Sequence, residues 1–303
     1  MALGTAPEAL PNRSGSNYGA AMNATASLSY CAQRVRETDI DRFFTALFAP
    51  AERRESLFAL YAFNSEVARV AEAITEPMIG QIRQQWWRDR IDEIYCGAPP
   101  KGAEVAQALG RAVHAHGLSR ALLDALIDAR EHDLTAASPA TVGDFTAYAE
   151  ATSGGLNRLA LQVLGVEEEA AQTAAKHVGI AWAFAGHLRA VAFHARHGKV
   201  FLPRDLLAVS AANELTEGRI APEALVTAAR AMAARAAAHL DEGRALRARV
   251  PRQALPALLL APLTGAYLAR LKRERFDPFS PRLDLSRPSR QLRLAWAAWR
   301  GRY

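Results

Sequence analysis

The 303-residue chain contains only two cysteines, Cys31 and Cys96. They stand far apart with no metal-binding or redox spacing around them, so a disulfide framework is excluded and both read as plain thiols of a reducing compartment. No stretch of about 18 apolar residues runs without charge, so no transmembrane helix is expected. Alternating runs of Val, Ile and Thr are missing, which argues against a β-architecture. No Gly-rich phosphate loop precedes a helix, and Ser, His and acidic residues do not assemble into a hydrolase motif. Residues 1–29 lack the basic n-region and apolar h-region of a secretory signal. Rich in Ala, Gly, Ser and Asn, they are expected to form a disordered arm; Arg13 is their only arginine, too little to support an organelle-targeting peptide.

What is present is helical periodicity. Half of the residues are apolar, enough for a large core. Patterns at helical spacing cover 39–48, stopped near Pro50, and 51–74, where Leu57, Leu60, Tyr61 and Val67 recur. Pro77 ends that run, and the next, 78–95, stops at Gly97-Ala98-Pro99-Pro100. Further helices are predicted near 102–116, 119–134, 142–164 and 167–197. The alanine-rich stretch 221–249 is helical by propensity, and 251–274 and 287–299 follow. With no internal repeat and no long linker, the prediction is one all-α domain over 30–303, of about ten helices. Net charge is +6, with the basic excess toward the C-terminus, from Arg270 through Arg302. That face is either simply solvated or suited to an anionic membrane surface or acidic partner. Nucleic acid is not expected, since no binding module accompanies the charge.

Two segments carry the chemistry. Residues 188–203 read LRAVAFHARHGKVFLP, and residues 61–72 read YAFNSEVARVAE. They resemble the two signatures of the squalene and phytoene synthase family, roughly L-R-D-V-x-x-D-x-x-x-G-R-x-Y-L-P and Y-A-F-C-R-x-x-D-D-x-x-D. The resemblance implies an isoprenoid-synthase-like helical bundle, with the two signature helices facing each other across a cavity. It also implies that Ala68, Glu72, Ala190 and His194 occupy the places of the metal-binding aspartates, around the mouth of that cavity. Only Glu72 is acidic. Mg²⁺ takes hard oxygen ligands, alanine offers none, and the His194 imidazole suits Zn, Ni or Cu better. Without metals the charge of a diphosphate leaving group is uncompensated, and that stabilisation is usually the largest catalytic term. No prenyl transfer at a useful rate is therefore expected, and no cofactor; Mg²⁺ enters only on the alternative reading of a divergent prenyltransferase, held by Glu66 and Glu72.

The resemblance reaches most of the chain after residue 30. It includes Phe43-Phe44, Glu131-His132-Asp133-Leu134 and Tyr148 through Gly155. It is nearer still to the branch containing mitochondrial complex I assembly factor 6, through Ala62-Phe63-Asn64, Ile94-Tyr95-Cys96, Leu188-Arg189-Ala190, His194 and Trp299-Arg300-Gly301-Arg302-Tyr303. That branch implies a binding protein with a nascent complex I subunit as partner, and an anionic membrane surface or an isoprenoid or lipid as further ligands. The expected place is the cytoplasmic face of a bacterial inner membrane, or the mitochondrial matrix for a eukaryotic source. Candidate ligand-binding residues are Tyr61, Asn64, Glu66, Arg189, Arg196, Lys199 and Arg204. The basic ones serve either an anion or ion pairs with residues such as Glu66 or Asp205. His187, His194 and His197 fall within an arc of about 80° on one helix; they are metal candidates, or structural and capping histidines. Trp296 and Trp299 form an aromatic edge flanked by Arg293 and Arg300, suited to an interface or to packing of a terminal helix.

Overall fold

The computed structural model describes residues 28–73, 76–135, 137–196, 201–207 and 222–303. The N-terminal arm expected over 1–29 lies, but for its last two residues, outside them. Helices α1 (Tyr30–Thr38) and α2 (Ile40–Ala46) open the described chain, and apolar spacing indicated only the second. Their boundaries are set by caps: Ser29 Oγ accepts from Ala32 N, and the Asp39 carboxylate accepts from Arg42 N. Next come α3 (Ala51–Ala73), α4 (Pro77–Tyr95), α5 (Glu104–His116) and α6 (Arg120–Ala129). Pro77 sits at the start of α4, where its missing N–H removes no helical bond. Gly117 closes α5 with φ 62°, a left-handed cap that glycine adopts without steric penalty.

The predicted helix over 142–164 is three pieces: α7 (Val142–Ala149), a wide π-turn (Glu150–Gly154) and α8 (Gly155–Leu164). A capping box between Thr141 and Asp144 starts α7. The predicted helix over 119–134 tightens to a 3-10 turn at Arg130–Leu134. After α9 (Glu169–Arg196) and α10 (Pro222–Ala245), the run predicted over 251–274 breaks, with a bend of 43° before α11 (Leu260–Arg273). Pro262 explains the break: its ring has no N–H for the Leu258 carbonyl and crowds it. Helix α12 (Arg287–Arg300) ends the described elements, which contain no strand.

The axis of the bundle is α9. Its buried positions are mostly small (Ala170, Ala171, Ala174, Ala175, Gly179, Ala181), and α10 lies along it with Ala228, Ala229, Ala233 and Ala236 buried. Small facing residues let two helices approach closely. One core cluster joins α1 to α6, α8 and the first half of α9, around Phe63, Trp87, Leu109 and Leu161. A second surrounds the latter half of α9, with Phe145, Phe184, Leu188 and Met232. A third, small cluster of Leu259, Leu263, Tyr267, Leu285 and Leu294 holds α12. No single described helix is long and apolar enough to cross a membrane.

Candidate functional site

Helix α8 packs against both α3 and α9. These two carry the signature segments, so the helices that should bear the metal ligands are part of one bundle. Ala68 and Ala190 are half-buried and offer no oxygen. Glu72 lies in the last turn of α3, and its side chain falls outside the described residues. His194 is half-buried, with its ring edge-on to Phe201 at 4.9 Å and to Phe193 at 5.6 Å. Aromatic packing of this kind does not suit a hard cation. The residues at these positions do not fit Mg²⁺, which takes carboxylates and water.

Glu66 is held elsewhere. The groove it lines, of about 630 Å³, also takes Arg34 from α1, Arg69 from α3, and Arg83 and Trp86 from α4; no described residue of α9 lines it. Burial raises the Glu66 carboxyl above its ordinary range, while Arg34 and Arg83 pull it back. Tyr61 is buried under Arg42, whose guanidinium lies 5.9 Å from its ring, and burial pushes the phenol up to about 12. Arg42 is itself buried, ion-paired with Asp39 at 2.8 Å, and it donates to Ser153 Oγ at 3.2 Å. Asn64 is buried beside this cluster in sequence, on the same helix. Arg42, Asp39 and Ser153 were not among the sequence candidates. The cap at Asp39 was readable, but the partner 111 residues away was not.

Of the two readings of Arg189, anion binding or an ion pair, the structure shows an ion pair, with a partner other than Glu66 or Asp205. Arg189 donates to Asp284 at 2.9 Å and stacks 3.9 Å from the Tyr267 ring. The segment 282–285 folds back over α11, where Arg270 donates to the carbonyls of Arg282 and Asp284, and this brings Asp284 within reach. Asp205 instead accepts from Val142 N and caps α7. Arg204 is exposed, and its backbone N–H donates to Pro139 O. Arg196 is exposed at the end of α9. Lys199 and His197 lie outside the described residues.

A cavity of about 500 Å³ opens between the 3-10 turn, α7, α9 and Phe201. Aromatic and small side chains dominate it: Phe145, Tyr148, Phe201, Ala129 and Ala147. His187 stands at its wall, edge-on to Phe145 at 4.6 Å, with its Nδ1 on the Ala183 carbonyl. Burial drives the His187 imidazole down to about 4, so it is neutral at pH 7. Its centroid lies 6.4 Å from that of His194. Among the described residues, the two carboxylates of the cavity each accept a hydrogen bond. Asp133 accepts from Arg130 at 2.9 Å and from Tyr148 at 3.1 Å, and Asp144 accepts from Thr141. Its described lining is mostly apolar, with Asp133, Asp144 and His132 as its polar members beside Tyr148 and His187.

The squalene/phytoene synthase profile matches residues 35–298. The chain belongs to the squalene/phytoene synthase family. Within it, the chain is 32% identical over 286 residues to NADH dehydrogenase (ubiquinone) complex I, assembly factor 6 of Bos taurus, covering 94% of this chain and 86% of that protein. It is 29% identical over 200 residues to presqualene diphosphate synthase of Sinorhizobium fredii, covering 64% and 69%. The crystal structure of squalene synthase HpnC from Alicyclobacillus acidocaldarius superposes with a TM-score of 0.72 at 21% identity, over 82% of this chain and 94% of that one. The fold is thus that of the family's synthases.

Proposed function

We propose that this protein is a non-catalytic member of the family that acts in the assembly of respiratory complex I. The observation that carries the reading is the pairing of Ala68 and Ala190 at the metal positions with the long match to a complex I assembly factor. A chain that keeps the bundle and drops the groups that compensate diphosphate charge retains binding without turnover. On this reading the protein holds a nascent complex I subunit, and the cavity beside Tyr148 and His187 takes an isoprenoid or lipid chain. Its apolar lining supports that second role.

Binding takes place at the membrane surface, on the matrix side in mitochondria or the cytoplasmic side in bacteria. Support comes from α12, where Leu292, Trp296 and Trp299 are exposed along one stripe. Arg293 and Arg300 border it, and the Arg300 guanidinium lies 4.4 Å from the Trp296 ring. An apolar stripe with basic flanks suits an anionic interface.

The test is native-gel analysis of complex I in membranes of a deletion strain, with and without the gene restored. Loss of the assembled complex, recovered on restoration, is expected. Normal assembly without the gene overturns the reading. The rival, a divergent prenyltransferase, draws on the similarity to presqualene diphosphate synthase. It requires Mg²⁺-dependent release of diphosphate from a prenyl diphosphate, which the purified protein is expected not to show.

A further inference from the structure

Where α10 lies against the first half of α9, three ligand-type atoms converge. His177 Nδ1 is 3.0 Å from His239 Nδ1 and 2.8 Å from Glu242 Oε2, and His239 Nδ1 is 3.7 Å from the same oxygen. His239 and Glu242 are one turn apart on α10, so they share a face. Gly243 lets that face come close: a Cβ there would stand 3.2 Å from Val178 Cγ2 and 3.6 Å from His177 Cβ.

Protons alone do not satisfy this arrangement. An imidazole Nδ1 carries at most one hydrogen. Seen from His177 Nδ1, the Glu242 oxygen and the His239 nitrogen lie about 80° apart, so one N–H points at only one of them. If His177 donates to Glu242, the His239 nitrogen faces it with no hydrogen between them. If His239 donates to His177, two acceptor lone pairs confront each other at 2.8 Å. A single cation among the three atoms removes the conflict.

The triangle also has the right size. A point about 2.05 Å from all three atoms lies about 0.8 Å off their plane, against about 0.7 Å for an ideal tetrahedral zinc site. The ring edges now point at each other, so seating an ion turns each by about 40°. Two positive side chains stand nearby: Lys176 is occupied by Glu150 at 3.6 Å, and Arg235 of α10 acts on His239. Glu242 is more than half exposed, which gives an ion access from solvent.

We propose that His177, His239 and Glu242 form a binding site for a divalent transition-metal ion of the zinc class, which ties α9 to α10. Two imidazoles and one carboxylate suit Zn²⁺ or Co²⁺ and leave a fourth position for water; they do not suit Mg²⁺. The site is separate from the degenerate metal positions, since Ala190 lies about 20 Å farther along α9. It is independent of any role in complex I assembly.

The test uses untagged full-length protein, stripped with chelator and titrated with Co²⁺ by visible absorption, then with Zn²⁺ in competition. One equivalent of Co²⁺ in a tetrahedral spectrum, displaced by Zn²⁺, is expected, with a Zn²⁺-dependent rise in Tm. His239→Ala and the near-isosteric Glu242→Gln are each expected to weaken binding by at least about tenfold, the least that losing even an outer partner of a metal ligand costs. Their metal-free Tm and circular dichroism check that they remain folded. A His187→Ala/His194→Ala protein is expected to bind as wild type. Absence of stoichiometric binding, or binding unchanged in Glu242→Gln and His239→Ala, overturns the proposal. So does binding lost only in the His187/His194 variant.

Discussion

Gly154 runs so close beneath Gly179 that a Cβ on Gly179 would come within 2.6 Å of the Gly154 Cα and 2.5 Å of the Ser153 carbonyl oxygen. The obstacle is backbone, which does not swing aside. This contact seats the π-turn on α9 and so places Ser153 against Arg42. Gly179→Ala is expected to destabilise the protein by about 1–3 kcal/mol, as overpacking does, or more where the backbone cannot shift. Gly186, two turns on, has nothing within 4 Å of its would-be Cβ. Gly186→Ala is expected to be neutral or to stabilise by up to about 1 kcal/mol, through helix propensity. Urea midpoints of the two variants measure both, and equal shifts would refute the close approach.

The half-buried imidazole of His187 is expected to make stability depend on pH. Its folded value is near 4 against an ordinary 6.5, so between these the unfolded chain binds more protons than the native state. Stability contributed by the neutral ring is present above about 6.5 and is lost as pH falls toward about 4, by up to about 1.4 kcal/mol per pH unit. His116, His177 and His239 are also lowered, so the informative quantity is a difference. His187→Gln is expected to flatten the wild-type slope in that window. Parallel stability curves for the two proteins would show that His187 titrates normally.

The degenerate metal positions allow a gain-of-function comparison. Asp at positions 68, 190 and 194 (Ala68→Asp, Ala190→Asp, His194→Asp) joins Glu72 to re-create four acidic positions. Calorimetry is expected to detect Mg²⁺ binding in this variant and none in the wild type. If the wild type binds Mg²⁺ equally well, ligands other than these four are at work.

Exposed Trp296 and Trp299 give the membrane reading a direct measure. Burying a large apolar side chain contributes roughly 1.5 kcal/mol or more, about tenfold in partitioning. Trp296→Ala/Trp299→Ala is therefore expected to cut association with anionic vesicles by at least about tenfold, while stability changes little. Wild-type association is expected to weaken with salt. Identical sedimentation of the two proteins with vesicles would remove α12 as the contact.

Local order was written in the sequence. The helices α3, α4, α5, α9 and α12 lie within two residues of their predicted ends, since apolar spacing, Pro77 and Gly117 act within a turn or two of themselves. The loss of carboxylates at positions 68 and 190 was equally plain, because it concerns residue identity alone. The tertiary structure decided which side chains meet. Arg189 finds Asp284, 95 residues on, rather than Glu66 or Asp205, and Glu66 lies in an arginine groove between α1, α3 and α4. His177 meets His239 across 62 residues, a pairing set by how closely an alanine-rich α10 packs on α9. Helical periodicity states which face of a helix is apolar. Which partner that face meets depends on contacts between distant segments, and these exist only once the bundle has closed.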